Sequence, residues 1–286
     1  MAWVFFAALT AVFESIKDVL GKRGVQRDDA ILVAWVWRLF ALPFLLPALF
    51  FIDIPEIGPS FWWALLISGG LNVLTSVLYI QALKVSDLSV TVPMVSFSPL
   101  FLLLTSPLIL GEQAGPLGMA GVLLIVIGSY LLHIGRRSEG PLIPFKALLS
   151  ERGPRLMLVV ALIWSVTANV DKIGLQASSP FFWTISVNLF IAAVLLPLGL
   201  PRLYRRPKGG GLGVLFALGF TGALGYLCQM TAISIGLVPY VIAIKRTSIV
   251  LSVSWGGLFF GERGIRERLV GAGVMLAGVL CITLWG

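Results

Sequence analysis

Long apolar segments dominate this chain of 286 residues and restrict what it can fold into. There are ten such segments, and each, at roughly 18–23 residues, is long enough to cross ~30 Å of hydrocarbon as a helix. They cover residues 2–20, 32–51, 61–83, 89–110, 117–134, 156–174, 181–200, 213–235, 239–260 and 269–285. Because 58% of the residues are hydrophobic and only 12% are charged, a water-soluble core could not bury them all. We therefore predict an all-α polytopic membrane protein with ten transmembrane helices.

The two halves of the chain are related. When the sequence is shifted by 150 residues, small and polar residues coincide without a gap. The matches include Ser15 with Ser165, Lys22 with Lys172, Glu112 with Glu262, Gly121 with Gly271 and Gly128 with Gly278. The pattern predicts a five-helix repeat at 1–135, a basic cytoplasmic linker at 136–155 and a second five-helix repeat at 156–286. Since five is odd, the second repeat must be inverted in the membrane, as in many secondary transporters.

The distribution of positive charge predicts the orientation of the chain. Sixteen of its 21 lysines and arginines lie in the odd-numbered connections between segments. The even-numbered connections have none, apart from Lys172 near one segment end. By the positive-inside rule, the odd-numbered connections are cytoplasmic and both termini are non-cytoplasmic. We expect a multi-pass protein of the cell (inner) membrane.

The composition also argues against other classes of protein. The net charge of +8 could suit nucleic acid, but the cations lie in short connections rather than on one surface with interleaved aromatic residues. The membrane explains them better, and we predict no nucleic-acid partner. Two cysteines and one histidine make no metal-binding framework, so we predict no metal and no cofactor.

Three segments of the sequence resemble a known family. They are ILGEQAGPLGMAGVLLIVIGSYLL, FFGERGIRERLVGAGVMLAGVLC and ALIWSVTANVDKIGLQASSPFFW. With the two five-span halves, they resemble the EamA-type, ten-helix branch of the drug/metabolite transporter superfamily over almost the whole chain. The resemblance implies that helices three, four, eight and nine line a central cavity. It does not specify the substrate, because the superfamily carries amino acids, sugars, nucleotide sugars, organophosphates and drugs. Its members are often drawn with both termini inside, whereas the charges here predict the opposite.

Two adjacent cations, Lys245 and Arg246, lie within the ninth segment. Each costs roughly 2.5–3.5 kcal/mol at mid-membrane, which favours a functional interpretation. Their equivalents in the first half are Val95 and Ser96, so the fold does not require the pair. A guanidinium fork beside an ammonium suits a phosphate or a carboxylate. The run AIKRTSIV also resembles the ninth helix of triose-phosphate-type translocators, where such a pair is expected to grip the substrate phosphate. The alternative is that the two cations reach the outer surface or pair structurally with acids.

Ionisable residues on other segments are candidates for coupling or gating. Glu14, Lys17 and Asp18 share one helical face because they stand at i, i+3 and i+4. The segment ALTAVFESIKDVLGKRG resembles the first helix of small multidrug-resistance proteins, in which a membrane-embedded glutamate at the position of Glu14 exchanges protons for substrate. Those proteins lack Lys17 and Asp18. The alternative is that Lys17 and Arg38 merely neutralise the acids.

Depth along the segments predicts two ionic layers on either side of a cavity. The cytoplasmic layer would contain Glu14, Asp18 and Arg38, and the outer layer would contain Asp171, Lys245 and Arg246. The predicted coupling or gate residues are Glu14, Asp18, Arg38 and Asp171. The predicted substrate-binding residues are Lys245, Arg246, Asn72, Tyr79, Gln229, Ser98 and Ser248.

These observations predict a secondary active transporter that is not an enzyme. Its substrate would be a small polar metabolite with a phosphate or carboxylate group, moved by alternating access between the repeats of a monomer or homodimer, with proton coupling possible. A second hypothesis is a proton-coupled exporter of amino acids or amphipathic drugs that uses Glu14. A remote third is a membrane-embedded transferase for lipid-linked substrates, which no His-Asp pair or large soluble connection supports.

Overall fold

Every regular element in the described part of the chain is a helix. The computed structural model describes residues 2–50, 53–86, 91–131, 151–206, 212–251 and 265–285. The α-helices are α1 (Ala2–Val25), α2 (Ala30–Leu39), α3 (Leu42–Leu45), α4 (Phe61–Val85), α5 (Ser98–Leu110), α6 (Pro116–Leu131), α7 (Arg152–Gln176), α8 (Pro180–Tyr204), α9 (Leu212–Ile235), α10 (Val238–Lys245) and α11 (Ile265–Trp285). Two 3-10 segments cover Leu46–Phe50 and Val92–Phe97. The all-α prediction is confirmed over these ranges.

In the described part of the chain, four helices are long and apolar enough to cross a membrane: α4, α7, α8 and α9, each of 24 or 25 residues. Shorter apolar helical stretches cover Ala30–Leu45, Met94–Leu110, Pro116–Leu131 and Val270–Trp285. The helix α1 has 24 residues but carries Glu14, Lys17 and Asp18 in its second half. The chain is therefore a polytopic membrane protein.

Charged groups lie inside this helix assembly and apolar groups lie outside. Leu108, Leu66 and Phe5 are 85%, 63% and 62% exposed. Seven charged residues, in contrast, are at most 8% exposed: Glu14, Lys17, Asp18, Arg38, Asp171, Lys245 and Arg246. Water would favour the reverse arrangement, whereas lipid favours apolar side chains outside and confines ionisable ones to the interior.

Three predicted spans are not single helices in the structure. The second span breaks after α2, where Pro43 and Pro47 lack the N–H groups that a continuous helix needs. The fourth span begins as the 3-10 segment and becomes α-helical at Ser98, just before Pro99. The ninth span breaks where α10 ends at Lys245. Residues 252–260 of that span and 136–150 of the predicted linker lie outside the described residues.

The helices of the two halves pair reciprocally. Helix α1 packs along α9, and α4 packs along α7. A shift of 150 residues converts the first pair into the second, because it moves α1 onto α7 and α4 onto α9. Two further pairs of helices are in contact: α2 with α8, and α6 with α11. In each of these pairs, the shift of 150 residues moves the first helix onto the second. The two halves therefore use equivalent helices where they pack against each other.

The matched lysines explain part of this reciprocity. The Lys22 ammonium donates to the carbonyls of Leu83 and Ser86, at 2.6 and 2.9 Å, at the end of α4. The Lys172 ammonium donates to the carbonyl of Gly236, 2.7 Å away, just after α9, and it pairs with Glu112. Because terminal carbonyls of a helix lack intrahelical donors, each lysine stabilises the end of an equivalent helix.

Helices α6 and α11 cross through glycines, and this crossing gives a stability prediction. A Cβ atom on Gly278 would lie 2.6 Å from the carbonyl oxygen of Gly121. We expect Gly278→Ala to force the helices apart and to lower stability by about 1–3 kcal/mol. Gly273→Ala is the matched control on the same helix, because nothing lies within 4 Å of its Cβ position. Thermal melting curves of the purified protein in detergent should show a lower melting temperature for Gly278→Ala and an unchanged one for Gly273→Ala. Equal melting temperatures for the two variants would contradict the close approach of the two helices.

Candidate functional site

A small polar cavity lies among helices α1, α2, α4, α7, α9 and α10. Its volume is about 50 Å³, which is room for a few water molecules. Of the residues predicted for the site, it is lined by Glu14, Arg38, Asn72, Asp171, Gln229, Lys245 and Arg246. Residues that are up to 232 positions apart in the chain therefore meet around one space.

The remaining predicted residues lie beside this cavity. A second space of about 10 Å³ is lined by Asp18, Tyr79 and Ser248. The Tyr79 hydroxyl donates to the Asp18 carboxylate. Glu14 and Arg246 line both spaces, and Ser98 contacts Arg246. The structure thus brings the predicted residues into one region, while their role in binding or coupling stays a prediction.

The Glu14 carboxylate lies between two ammonium groups. Its Oε1 atom is 2.5 Å from Nζ of Lys17 and 3.4 Å from Nζ of Lys245. Lys245 also donates to Oε1 of Gln229 at 2.7 Å. Buried charges are tolerated when they are paired and hydrogen-bonded, and here one carboxylate serves two cations.

Arg246 has fewer partners than its guanidinium can use. Its Nε and Nη2 atoms donate to Oγ of Ser98, at 3.0 and 2.8 Å. The guanidinium carbon lies 5.5 Å from the centre of a Trp164 ring. Within the described residues, no carboxylate oxygen lies within 4.0 Å of an Arg246 nitrogen. Since a guanidinium carries several N–H donors in a planar fork, some remain for water or a ligand in the cavity.

Both partners of this contact lie at helix breaks. Arg246 caps the C-terminus of α10, and Ser98 begins α5 after the 3-10 segment. The shift of 150 residues moves Ser98 onto Ser248, two residues beyond Arg246. Interrupted membrane helices form the binding sites of many transporters, because the break leaves polar backbone and side chains at the protein interior.

Arg38 forms a second cationic group in the cavity. Its Nε and Nη2 atoms donate to Oγ of Ser76, at 3.3 and 3.2 Å, and Nη1 donates to Oδ1 of Asn188 at 3.4 Å. The guanidinium carbon lies 4.1 Å from the centre of a Trp37 ring. These neutral partners hold Arg38 in place without cancelling its charge.

Asp171 is held by neutral donors. The hydroxyl of Ser68 donates to Oδ1 at 2.5 Å, and Nε1 of Trp183 donates to the same atom at 3.1 Å. The Tyr226 hydroxyl donates to Oδ2 at 3.4 Å. Asn72 in turn donates to the hydroxyl of Ser68 at 3.1 Å, so α4, α7, α8 and α9 share one hydrogen-bond network.

The predicted separation into two ionic layers is wrong. Glu14 was assigned to the cytoplasmic layer and Lys245 to the outer layer, yet their side chains form an ion pair. Helices α1 and α10 are both predicted to start at the outer surface, and Glu14 stands only five residues deeper than Lys245, which is roughly 8 Å at ~1.5 Å per residue. Both side chains are also long enough to shift the position of a charge by about one helical turn. The charges form one cluster.

Sequence reasoning missed two tryptophans of the site. Trp164 lines both spaces and its Nε1 atom donates to Oγ1 of Thr75 at 3.1 Å. Trp37 lies against Arg38. A signal existed for Trp164, because it stands seven residues before Asp171 and therefore shares its face of α7.

The cluster contains nearly equal numbers of positive and negative side chains. Four buried cations, Lys17, Arg38, Lys245 and Arg246, face three buried acids, Glu14, Asp18 and Asp171. The formal excess is one positive charge. Among the described residues, no group of three or more His, Cys, Asp or Glu side chains could hold a metal ion.

Comparisons with known proteins agree with this architecture. The model of the EamA-like transporter family matches residues 1–134 and 152–284. The pseudopaline exporter CntI of Pseudomonas aeruginosa is 26% identical over 224 residues, which cover 77% of this chain and 74% of the exporter, in strains PAO1 and UCBPP-PA14 alike. One crystal structure is 17% identical in sequence and superposes with a TM-score of 0.73, over 99% of this chain and 96% of the other chain. This likeness shows the fold alone.

The family matches cover more than nine-tenths of the sequence, in two stretches that correspond to its two halves. They confirm the resemblance found in the sequence and the prediction that the chain is not an enzyme. A buried polar cavity inside an assembly of apolar helices is also what membrane transport of a small metabolite requires. The chain belongs to the EamA-like transporter family and is a multi-pass membrane transporter.

Proposed function

We propose that this protein is a secondary active transporter that exports a small polar metabolite with a phosphate or carboxylate group. The anionic group would bind between Lys245 and Arg246. The observation that carries this proposal is the guanidinium of Arg246, which is buried beside a cavity with one serine as its hydrogen-bond acceptor. The relative's name, an exporter, supports the direction of transport.

Glu14 would act as the counter-ion of the empty site. Its carboxylate already contacts Lys245 and Lys17, which is the position that a substrate anion would compete for. When a substrate anion takes Lys245 from Glu14, protonation of the Glu14 carboxylate becomes more favourable. The proton bound at this step travels with the substrate, so we propose that substrate and proton cross the membrane in the same direction.

We propose ten membrane spans in two inverted five-helix repeats, at 1–135 and 156–286, joined by a linker at 136–155. Three observations support the duplication. The family model matches twice, the helix pairs are reciprocal, and Lys22 and Lys172 stabilise equivalent helix ends. The positive charges of the odd-numbered connections support cytoplasmic connections and non-cytoplasmic termini in the cell (inner) membrane.

Alternating access would open the cavity to each side in turn. A volume of about 50 Å³ cannot hold a metabolite together with its hydration water. The helices around the site must therefore separate before a substrate reaches Arg246. The helix breaks at Ser98 and Lys245 are the places where the lining could move without disturbing the long helices.

The hypothesis of a proton-coupled exporter of amino acids or amphipathic drugs that uses Glu14 has less support. Two lysines occupy the Glu14 carboxylate, so a cationic substrate would have to displace one of them. The transferase hypothesis is excluded by the family.

A thermal-shift screen of the purified protein tests the proposed substrate class. The ligands are matched pairs that differ in the anionic group: glycerol 3-phosphate against glycerol, succinate against succinamide, and glutarate against glutaramide. We expect one or more anions to raise the melting temperature and their neutral counterparts to have no effect. Stabilisation by neutral or cationic compounds without any by anions would overturn the proposal.

A further inference from the structure

The ammonium group of Lys17 lies inside an aromatic enclosure. Its Nζ atom is 4.7 Å from the centre of a Trp37 ring, 4.7 Å from that of Tyr79 and 5.8 Å from a ring of Trp164. The Glu14 carboxylate closes the enclosure at 2.5 Å. The enclosing side chains come from four helices, α1, α2, α4 and α7, so the fold builds this arrangement from distant segments.

The enclosure has the chemistry of a binding site for an organic cation. Aromatic faces within about 6 Å of a cation attract it electrostatically, and several faces together recognise quaternary ammonium ligands. A buried carboxylate adds a counter-charge. Lys17 is itself only 4% exposed, so its ammonium fills the space that a cationic ligand would occupy.

The other cations of the cluster have fewer aromatic neighbours. The guanidinium carbon of Arg38 lies near two rings, 4.1 Å from the centre of a Trp37 ring and 5.6 Å from that of Tyr226. Nζ of Lys245 lies 5.5 Å from a Trp164 ring, and its partners are Glu14 and Gln229. The guanidinium of Arg246 likewise lies 5.5 Å from Trp164 and bonds to Ser98. Among the described residues, Lys17 is thus the cation of the cluster with the most aromatic neighbours.

We propose that Lys17 determines the charge selectivity of the transporter: it is a tethered cation that occupies an organic-cation site and so excludes cationic compounds. This inference rests on the proposed function in one respect: the cavity is taken to accept anions, and the inference explains that preference by the cation site that Lys17 already fills. Removal of the Lys17 ammonium empties the enclosure and leaves Glu14 beside it.

The test is the binding of tetramethylammonium to Lys17→Ala by isothermal titration, with tert-butanol as a neutral ligand of the same size. Tetramethylammonium cannot donate an N–H hydrogen bond, so its affinity reports on the aromatic faces. We expect Lys17→Ala to bind it about tenfold or more tightly than the wild type does, and to bind no tert-butanol. Lys245→Ala is the matched control: it loses the same side chain from the same cavity and should gain no such binding.

Lys17→Ser provides a second variant if Lys17→Ala does not fold, because its short hydroxyl side chain can bond to a carbonyl of the preceding helical turn and still leaves the enclosure open. It should show the same gain in the affinity for tetramethylammonium. If neither variant binds this cation more tightly than the wild type and Lys245→Ala do, the inference is wrong. That failure leaves the proposed function standing, because the anion screen on the wild type tests the proposed function separately.

Discussion

The Arg246→Gln variant should bind the anionic substrate at least about 30-fold more weakly than the wild type, since the loss of one partner of a buried charge pair costs roughly 2–5 kcal/mol. Gln has no charge and cannot form the two parallel bonds of a guanidinium with a phosphate or carboxylate. Its amide can still bond to Ser98, so the helix break should persist. Isothermal titration with the most stabilising anion from the thermal-shift screen gives the affinity.

Arg38→Gln is the matched control for this variant. Arg38 is also a buried arginine that lines the cavity. Its guanidinium is held by Ser76 and Asn188, whereas Lys245 contacts Gln229 and Glu14. We expect a smaller loss of affinity in Arg38→Gln. If both variants lose the same affinity, the cavity acts through its total charge and not through a site at Arg246.

The Glu14→Gln variant should bind the anion about tenfold more tightly while it loses transport driven by a proton gradient. The affinity rises because Lys245 no longer has a competing carboxylate 3.4 Å away, and ten-fold corresponds to about 1.4 kcal/mol. Gradient-driven transport fails because Gln cannot take up the proton. Titration measures the first effect, and uptake into proteoliposomes with and without an imposed pH gradient measures the second.

Asp18→Asn is the control for Glu14→Gln. Asp18 lies one turn further along α1, and its carboxylate accepts a hydrogen bond from Tyr79. Its replacement should raise the anion affinity less than the replacement of Glu14. Weaker anion binding in Glu14→Gln would contradict the role of Glu14 as an internal competitor and would favour the exporter of amino acids or amphipathic drugs instead.

The helical class and most helix positions could be predicted from the sequence, because membrane length imposes a simple rule. Helix α4 was expected at 61–83 and ends at Val85, and α8 was expected at 181–200 and ends at Tyr204. The break at Lys245 could not be predicted, since no proline or glycine stands there. It depends on tertiary contacts such as the one between Arg246 and Ser98.

The sequence identified the ionisable residues of the cluster but not their arrangement. The rule that charges inside membrane helices are expensive led directly to Glu14 and Lys245. Their contact could not be predicted, because it depends on where two distant helices meet. Trp164 has one signal in the sequence, its place on the Asp171 face of α7, but that signal is weak because the chain has nine tryptophans, and its neighbours in space distinguish it more clearly.

Solute counterflow in proteoliposomes tests the central claim, that Lys245 and Arg246 together bind an anion that is carried across the membrane. Vesicles that contain the reconstituted protein are loaded with the most stabilising anion and diluted into a trace of the labelled compound. Wild-type protein should accumulate the label, and the double variant Lys245→Gln/Arg246→Gln should not, at equal amounts of inserted protein. Accumulation by the double variant at the wild-type rate would contradict the claim.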